Sequence, residues 1–117
     1  MSTNNTGLVP AIAGGANPIS VQAPAAAALL ALTETFDGLP AGYITMHSRG
    51  KIYVGLQLDS PDAFEAWRTA LLISPEAVQL CAFEGSTWLA ADAMFRGVRF
   101  HVTGYGIALT VAEAVAA

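Results

Sequence analysis

Two runs of alternating apolar and polar residues, one on each side of Gly50, constrain this fold more than any other feature of the sequence. Apolar side chains occupy every second position in residues 43–47 and again in residues 52–58, and two is the side-chain period of a β-strand. The four residues 48–51 lie between the runs. Two alternating runs joined by a short glycine-containing turn are typical of a β-hairpin. The sequence therefore predicts two antiparallel strands that share one apolar face.

Helical patterns lie on both sides of this hairpin. Residues 24–36 are rich in Ala and Leu and begin at Pro24, and Pro is favoured in the first turn of a helix. Residues 61–72 follow Asp59 and Ser60, and either of these residue types can cap a helix N-terminus. The apolar residues of this second segment fall on one stripe: Phe64, Trp67 and Leu71. We therefore predict two helices, the second of which covers a sheet with its apolar stripe.

Three more strands are predicted in the second half of the chain, over residues 78–83, 87–95 and 98–103. Short turns containing glycine separate them, as in an antiparallel meander. The element order is then α-β-β-α-β-β-β. This order predicts an α+β fold, a two-layer sandwich with a mainly antiparallel sheet of about five strands and two helices on one face. A capping-box pattern at Thr110 also predicts a short terminal helix from Val111 onward.

The N-terminal segment has a composition of its own. The first charged residue of the chain is Glu34, and six Pro and Gly residues precede the first helix or begin it. Because Pro and Gly disfavour both helices and central strands, we predict a flexible, disordered apolar arm over residues 1–22 and a single α+β domain over residues 23–117. Two interpretations of the arm remain open. It is either a free terminus or a segment that docks on its own domain or on a partner.

Composition excludes several classes of protein. A chain of 117 residues suits one domain, and its 54% hydrophobic content excludes a charge-rich disordered chain. Five Lys and Arg residues and a net charge of −4 make a nucleic-acid partner the least favoured alternative. The apolar run over residues 21–32 is too short to cross a bilayer, which takes roughly 20 residues. Cys81 is the only cysteine, so we expect a cytoplasmic protein without a membrane segment or an internal disulfide.

The main functional prediction concerns the sheet face that points away from the helices. If the apolar alternates face the helices, the polar alternates share the opposite face. We predict a ligand-binding site there, formed by His47, Tyr53, Arg99 and His101. The same face would also carry these residues: Tyr43, Thr45, Gln57 and Thr103. A small anion or a peptide would suit such a surface, and the alternative is an ordinary solvated sheet face.

Other chemistry has weak support in the sequence. His47, Cys81 and His101 are far apart and form no Cys-x-x-Cys or His-x-x-x-His pair, so we predict no metal site, no cofactor and no catalytic residue. We interpret Cys81 as a small buried apolar side chain. Asp92 lies among apolar residues; if it is buried it would need a cationic partner, for which Arg96 and Arg99 are the candidates.

Four short motifs also resemble a group of known sequences. They are YITMH at 43–47, LQLDSP at 56–61, AFEAW at 63–67 and HVTG at 101–104. Over residues 43–109 the chain is similar to small proteins of high-GC actinobacteria for which no activity is known. The resemblance implies a shared fold and implies nothing about catalysis.

The function predicted from these observations is a non-enzymatic protein-binding or accessory module that acts through a sheet face or edge. We expect it to self-associate as a homodimer, because few charges and several aromatic side chains favour burial against another copy. The aromatic residues concerned are Phe83, Trp88, Phe95 and Tyr105. Two alternatives remain: a small-molecule-binding or enzymatic site on the outward face, and a nucleic-acid-associated accessory protein.

Overall fold

The structure is a computed structural model that describes residues 18–107. It contains two α-helices and five β-strands. In chain order they are α1 (Ala23–Thr35), β1 (Tyr43–His47), β2 (Tyr53–Leu58), α2 (Pro61–Ala70), β3 (Gln79–Phe83), β4 (Ser86–Phe95) and β5 (Val98–Gly104). Single 3-10 turns over Ile19–Gln22 and Pro75–Ala77 precede α1 and β3. The α+β class, the element order and the number of strands predicted from the sequence are confirmed.

The five strands form one open sheet in the order β1-β2-β5-β4-β3. All neighbouring strands are antiparallel except β2 and β5, which run parallel at the centre. A parallel pair needs a long crossover connection, and here α2 and the β3–β4 hairpin supply it. The sheet is therefore assembled from the β1–β2 hairpin and the three-stranded β3–β4–β5 meander, which meet at the β2–β5 seam.

Two tight turns set the register of the C-terminal strands. Glu84 and Gly85 both have positive φ, 48° and 83°, and Arg96 and Gly97 have 53° and 78°. Positive φ at both central residues is characteristic of the type I′ turn, whose backbone twist matches the right-handed twist of the two strands that it joins. The resulting registers place three pairs opposite each other: Cys81 and Trp88, Asp92 and His101, and Met94 and Arg99.

Both helices pack on one face of the sheet and bury its apolar alternates. The buried side chains are Ala25, Ala28 and Leu32 of α1, Phe64 and Trp67 of α2, and Val54, Leu56, Leu58, Phe100 and Val102 of the central strands. Gly104 allows α2 to come close, since an added Cβ there would lie 2.5 Å from the Cβ of Phe64. The opposite face of the sheet, which we call the open face, is left uncovered by α1 and α2.

Local hydrogen bonds anchor α2 in this position. The hydroxyl of Ser60 accepts from the backbone N–H of Ala63, so Ser60 is the N-cap of the two candidates that the sequence offered. The indole Nε1 of Trp67 donates to the carbonyl oxygen of Pro40 at 2.8 Å. These two contacts fix the start of α2 and tie the helix to the segment before β1.

Several boundaries differ from the prediction. Ile19–Gln22 form a 3-10 turn that leads into α1, so the end of the predicted arm has a defined structure. The rest of the predicted arm, residues 1–17, lies outside the described residues, and so does the helix predicted from Val111 onward. The second helix ends at Ala70 rather than 72, and Leu72 has a positive φ of 60°. Ile52 precedes β2 and is 40% exposed, although the alternation predicted that it would face the helices as part of a strand.

Ile44 and Cys81 are also less buried than predicted. Ile44 points to the helix side but lies on the edge strand β1 and is 38% exposed. Cys81 is half-buried on the edge strand β3. At the β1 edge the helices no longer cover the sheet, whereas Cys81 lies opposite Trp88 and therefore projects from the open face, which neither helix covers. Within residues 18–107, neither helix has the length and apolar content needed to span a membrane.

Candidate ligand-binding cleft

The open face carries its side chains in three rows that cross the strands. The register places neighbours from four strands side by side. The first row is His47, Tyr53, Arg99 and Met94; the second is Thr45, Gly55, His101 and Asp92; the third is Tyr43, Gln57, Thr103 and Ala90. All eight residues predicted for the outward face lie in these rows. The alternation of polar and apolar residues therefore located this face correctly.

A cleft of about 410 Å³ lies on this face. Six ring-bearing side chains line it: Tyr43, His47, Tyr53, Trp88, His101 and Tyr105. Uncharged hydrogen-bonding groups lie between the rings, on Thr45, Gln57 and Thr103. Clefts that bind small ligands have volumes of about 300–1,000 Å³ and combine aromatic walls with a few polar groups.

Tyr53 is the residue at which the predicted site converges. Its ring stacks on the imidazole of His47, with centroids 4.2 Å apart and planes 6° from parallel. His101 approaches the same ring edge-on at 6.4 Å. The guanidinium of Arg99 lies over it, 5.4 Å from the centroid. The four predicted residues are thus brought together, although only three of them line the cleft and Arg99 lies beside it against Tyr53.

Asp92 contacts two members of this group, Arg99 and His101, both of which lie on β5. Its Oδ1 lies 2.8 Å from Nδ1 of His101 and 3.1 Å from a terminal nitrogen of Arg99. Partial burial raises the pKa of the Asp92 carboxyl, but the hydrogen bond with His101 and the charge of Arg99 outweigh it, and the pKa lies below its usual value of 3.8. Arg99 is thus confirmed as a partner of Asp92, whereas Arg96 lies over the ring of Phe95.

The hydrogen bond of Asp92 also orients the imidazole of His101. An ionised carboxylate only accepts hydrogen bonds, so Nδ1 of His101 carries the proton in this contact. In the neutral imidazole the lone pair then resides on Nε2. This fixed tautomer was not foreseen from the sequence, because it depends on the register of β4 against β5.

Gly55 forms the floor of the cleft. It sits between Thr45 and His101 in the second row, where any other residue would project a side chain into the cleft. An added Cβ would lie only 2.6 Å from Oγ1 of Thr45 and 3.6 Å from Nε2 of His47. The Thr45 hydroxyl is itself hydrogen-bonded to that Nε2 at 2.8 Å. A side chain at position 55 would therefore disturb both neighbours.

Trp88 and Tyr105 form the far wall of the cleft, and the sequence-based site did not include them. Their rings stack with centroids 5.7 Å apart and planes at 21°. Tyr105 continues the outward alternation of β5 by one step, and a two-residue turn at 96–97 places Trp88 opposite it. The sequence contained both the alternation that reaches Tyr105 and the short turn at 96–97. Placing Trp88 opposite Tyr105, however, requires the length of that turn to be used to derive which residues pair across β4 and β5.

The chain matches no protein-family model, no curated protein and no solved structure. The resemblance to small actinobacterial proteins stays a prediction. Within residues 18–107, no three His, Cys, Asp or Glu side chains come together in a way that could hold a metal ion. What the site can do must therefore be argued from its own geometry.

Proposed function

We propose that this protein is a binding module whose open sheet face takes up a small ligand in the cleft. The observation that carries the proposal is the convergence of His47, Arg99 and His101 on the ring of Tyr53, at one wall of that cleft. Three side chains from β1 and β5 thus hold one ring of β2 in place. Preordered side chains lower the entropic cost of binding, because little conformational freedom is left to lose.

The chemistry of the walls favours a ligand with a flat ring. One wall presents the stacked pair of Tyr53 and His47, and the other presents Trp88 stacked on Tyr105. Stacking on aromatic side chains is worth about 1–3 kcal/mol per ring for nucleobases. Gln57 lies between the walls and offers an amide donor and an acceptor to the ligand edge.

The charges beside the cleft favour a neutral ligand over the anion suggested by the sequence. Arg99 lies over the ring of Tyr53, and it is paired with the carboxylate of Asp92. The same carboxylate accepts from His101. Because one negative charge already balances Arg99, a ligand anion would compete with Asp92. We therefore propose an uncharged ring compound with hydrogen-bonding groups at its edge.

The protein carries its own reporters for this test. His47 and His101 are the only two histidines, and both line the cleft. Of the two tryptophans, Trp88 lines the cleft and Trp67 is buried on the sheet-facing side of α2, so a Trp67→Phe variant makes indole fluorescence specific to the cleft. We would titrate wild type and this variant with a panel of uncharged nucleosides, monosaccharides and disaccharides. A ligand is expected to quench Trp88 and to shift the imidazole resonances of both histidines.

Gly55→Ala provides the matched test of location. Its methyl group enters the cleft floor and should weaken binding at least tenfold, whereas Gly38→Ala adds a methyl that meets nothing within 4 Å and should leave the affinity unchanged. The proposal fails if no compound of the panel affects either reporter at millimolar concentration. It also fails if a compound binds Gly55→Ala as tightly as wild type.

A second candidate function, general-base catalysis, is favoured by the contact of Asp92 with His101. A carboxylate that orients an imidazole and leaves its other nitrogen basic is a recurring arrangement in acid–base catalysis. If wild type hydrolyses a generic ester such as p-nitrophenyl acetate faster than free imidazole does, the rate should fall in His101→Asn and persist in His47→Asn. Equal losses in the two variants would argue against this function.

Two broader expectations from the sequence are kept as proposals. A protein partner usually buries about 800 Å² on each side, and the free edge of β3 suits such a contact better than the cleft does. A cytoplasmic location is proposed because the single cysteine, Cys81, offers no internal disulfide.

A further inference from the structure

Among residues 18–107, the edge strand β3 lacks the features that usually protect a sheet edge. Its five residues, Gln79–Phe83, include no charged residue and no proline. Leu80 is 58% exposed and Phe83 is 67% exposed, one on each face of the sheet. Natural sheets block such edges with charges, prolines, bulges or covering segments. The other edge strand, β1, is followed by Arg49 and Lys51.

The backbone of β3 is poised to accept another strand. Because Glu84 and Gly85 form a two-residue I′ turn, the flanking residues Phe83 and Ser86 are a hydrogen-bonded pair. The alternation of an antiparallel ladder then points the N–H and C=O groups of every second residue away from β4. In β3 these outward groups belong to Leu80 and Ala82.

We propose that a second copy of this chain pairs with β3 in the antiparallel direction, about a two-fold axis at Cys81. This register lets Leu80 and Ala82 of one copy exchange backbone hydrogen bonds with Ala82 and Leu80 of the other. A large side chain meets a small one at each such position. Glu84, the nearest acidic residue along the chain, falls opposite Val78 of the second copy, so no like charges face each other.

Self-pairing is favoured over a different partner because the strand is complementary to itself. A two-fold contact uses the same surface on both copies, so each favourable pairing occurs twice. The chain has a net charge of −4, which would oppose dimerisation at a charged surface, but β3 is neutral. Five paired residues bury less than a standard interface, so we expect a dissociation constant in the micromolar range.

The pairing would join the two sheets into one of ten strands. From the strand order, the two clefts would lie on the same continuous face, about six strand spacings or 29 Å apart at roughly 4.8 Å per strand. Cys81 would face its own counterpart at a non-hydrogen-bonded position, where Cα atoms are about 4.5 Å apart. This distance is within the range that a disulfide spans, so Cys81 reports the register.

The first experiment measures mass by sedimentation equilibrium between 10 and 500 µM in reducing buffer. Wild type is expected to shift from monomer to dimer over this range. Leu80→Lys places a charge on the edge and should raise the dissociation constant at least tenfold. Leu30→Lys is the matched control, since Leu30 is 60% exposed on α1 and far from β3 in the chain. A wild-type monomer at 500 µM, or equal effects of the two variants, would overturn the proposal.

The second experiment tests the register with diamide, which takes up two electrons and two protons as two thiols form a disulfide. Wild type and Leu30→Lys should cross-link through Cys81, and Leu80→Lys should cross-link at least tenfold more slowly. A Gln79→Cys, Cys81→Ser double variant is expected to dimerise without cross-linking. In the proposed register its two thiols belong to residues separated by about 13 Å along the strands. Cross-linking of that variant at the wild-type rate would show that the register is wrong.

Discussion

Replacing Tyr53 by Leu tests whether the ring at the centre of the cleft orders its neighbours. The substitution keeps an apolar side chain on β2 but removes three ring contacts, with His47, His101 and Arg99. An aromatic pair contributes about 0.5–1.5 kcal/mol beyond its buried area, and an exposed cation–π contact contributes about 0.5–1 kcal/mol. We expect Tyr53→Leu to lower the free energy of unfolding by about 2 kcal/mol.

Urea unfolding followed by circular dichroism measures this loss. With a denaturant slope of about 1.5 kcal/mol/M, the midpoint should fall by about 1.3 M. Tyr43→Leu is the matched control, because Tyr43 lies on the same face, is 67% exposed and has no ring partner among residues 18–107. Its substitution should change stability by less than about 0.5 kcal/mol. Equal midpoints for the two variants would refute the view that Tyr53 organises the site.

Three further predictions concern the packing of α2 and the charge beside the cleft. Gly104→Ala should cost about 1–3 kcal/mol, because its methyl group would overlap Phe64 at the helix–sheet contact; thermal unfolding checks this, and Gly38→Ala should be neutral or nearly so. Ser60→Ala should cost about 1 kcal/mol in the same assay through loss of the N-cap of α2. Ionised Asp92 has a lowered pKa in the folded state, so its contribution is present above pH 3.8 and is lost as pH falls through the folded pKa. The difference in unfolding free energy between wild type and Asp92→Asn should therefore shrink between pH 6 and pH 2.5, and a constant difference would contradict this assignment.

Much of the open face could be predicted from alternation alone. In residues 43–58 a shift of one position would move every apolar side chain from the core to solvent, so burial of one face fixes which residues point outward. His47 and Tyr53 were placed together for this reason, and their pairing across the β1–β2 hairpin is local in sequence. The two I′ turns allow a similar prediction, since the length of a two-residue loop determines which residues pair in the two strands that it joins.

The parallel contact between β2 and β5 could not be predicted in the same way. Its pairs, such as Gly55 with His101, join residues separated by the whole of α2 and two further strands. No local sequence pattern predicts that β5 pairs with β2, because this pairing depends on how Phe64 and Trp67 of α2 pack against the sheet. The sequence could therefore place His101 on the open face but could not place it beside Gly55.

This seam has a consequence for how the protein acquires its site during folding. His47 and Tyr53 belong to the N-terminal hairpin, and His101 belongs to the C-terminal meander, so neither half of the chain contains the cleft. The hairpin and the meander can each form through short-range contacts. Docking them pairs residues that are 46 positions apart, such as Gly55 and His101, and such long-range closure is slow compared with hairpin formation. In a refolding experiment, secondary structure should recover first, and the imidazole signals of the cleft should reach their native positions only when the two halves dock. Two fragments cut between α2 and β3 should likewise regain those signals only after mixing.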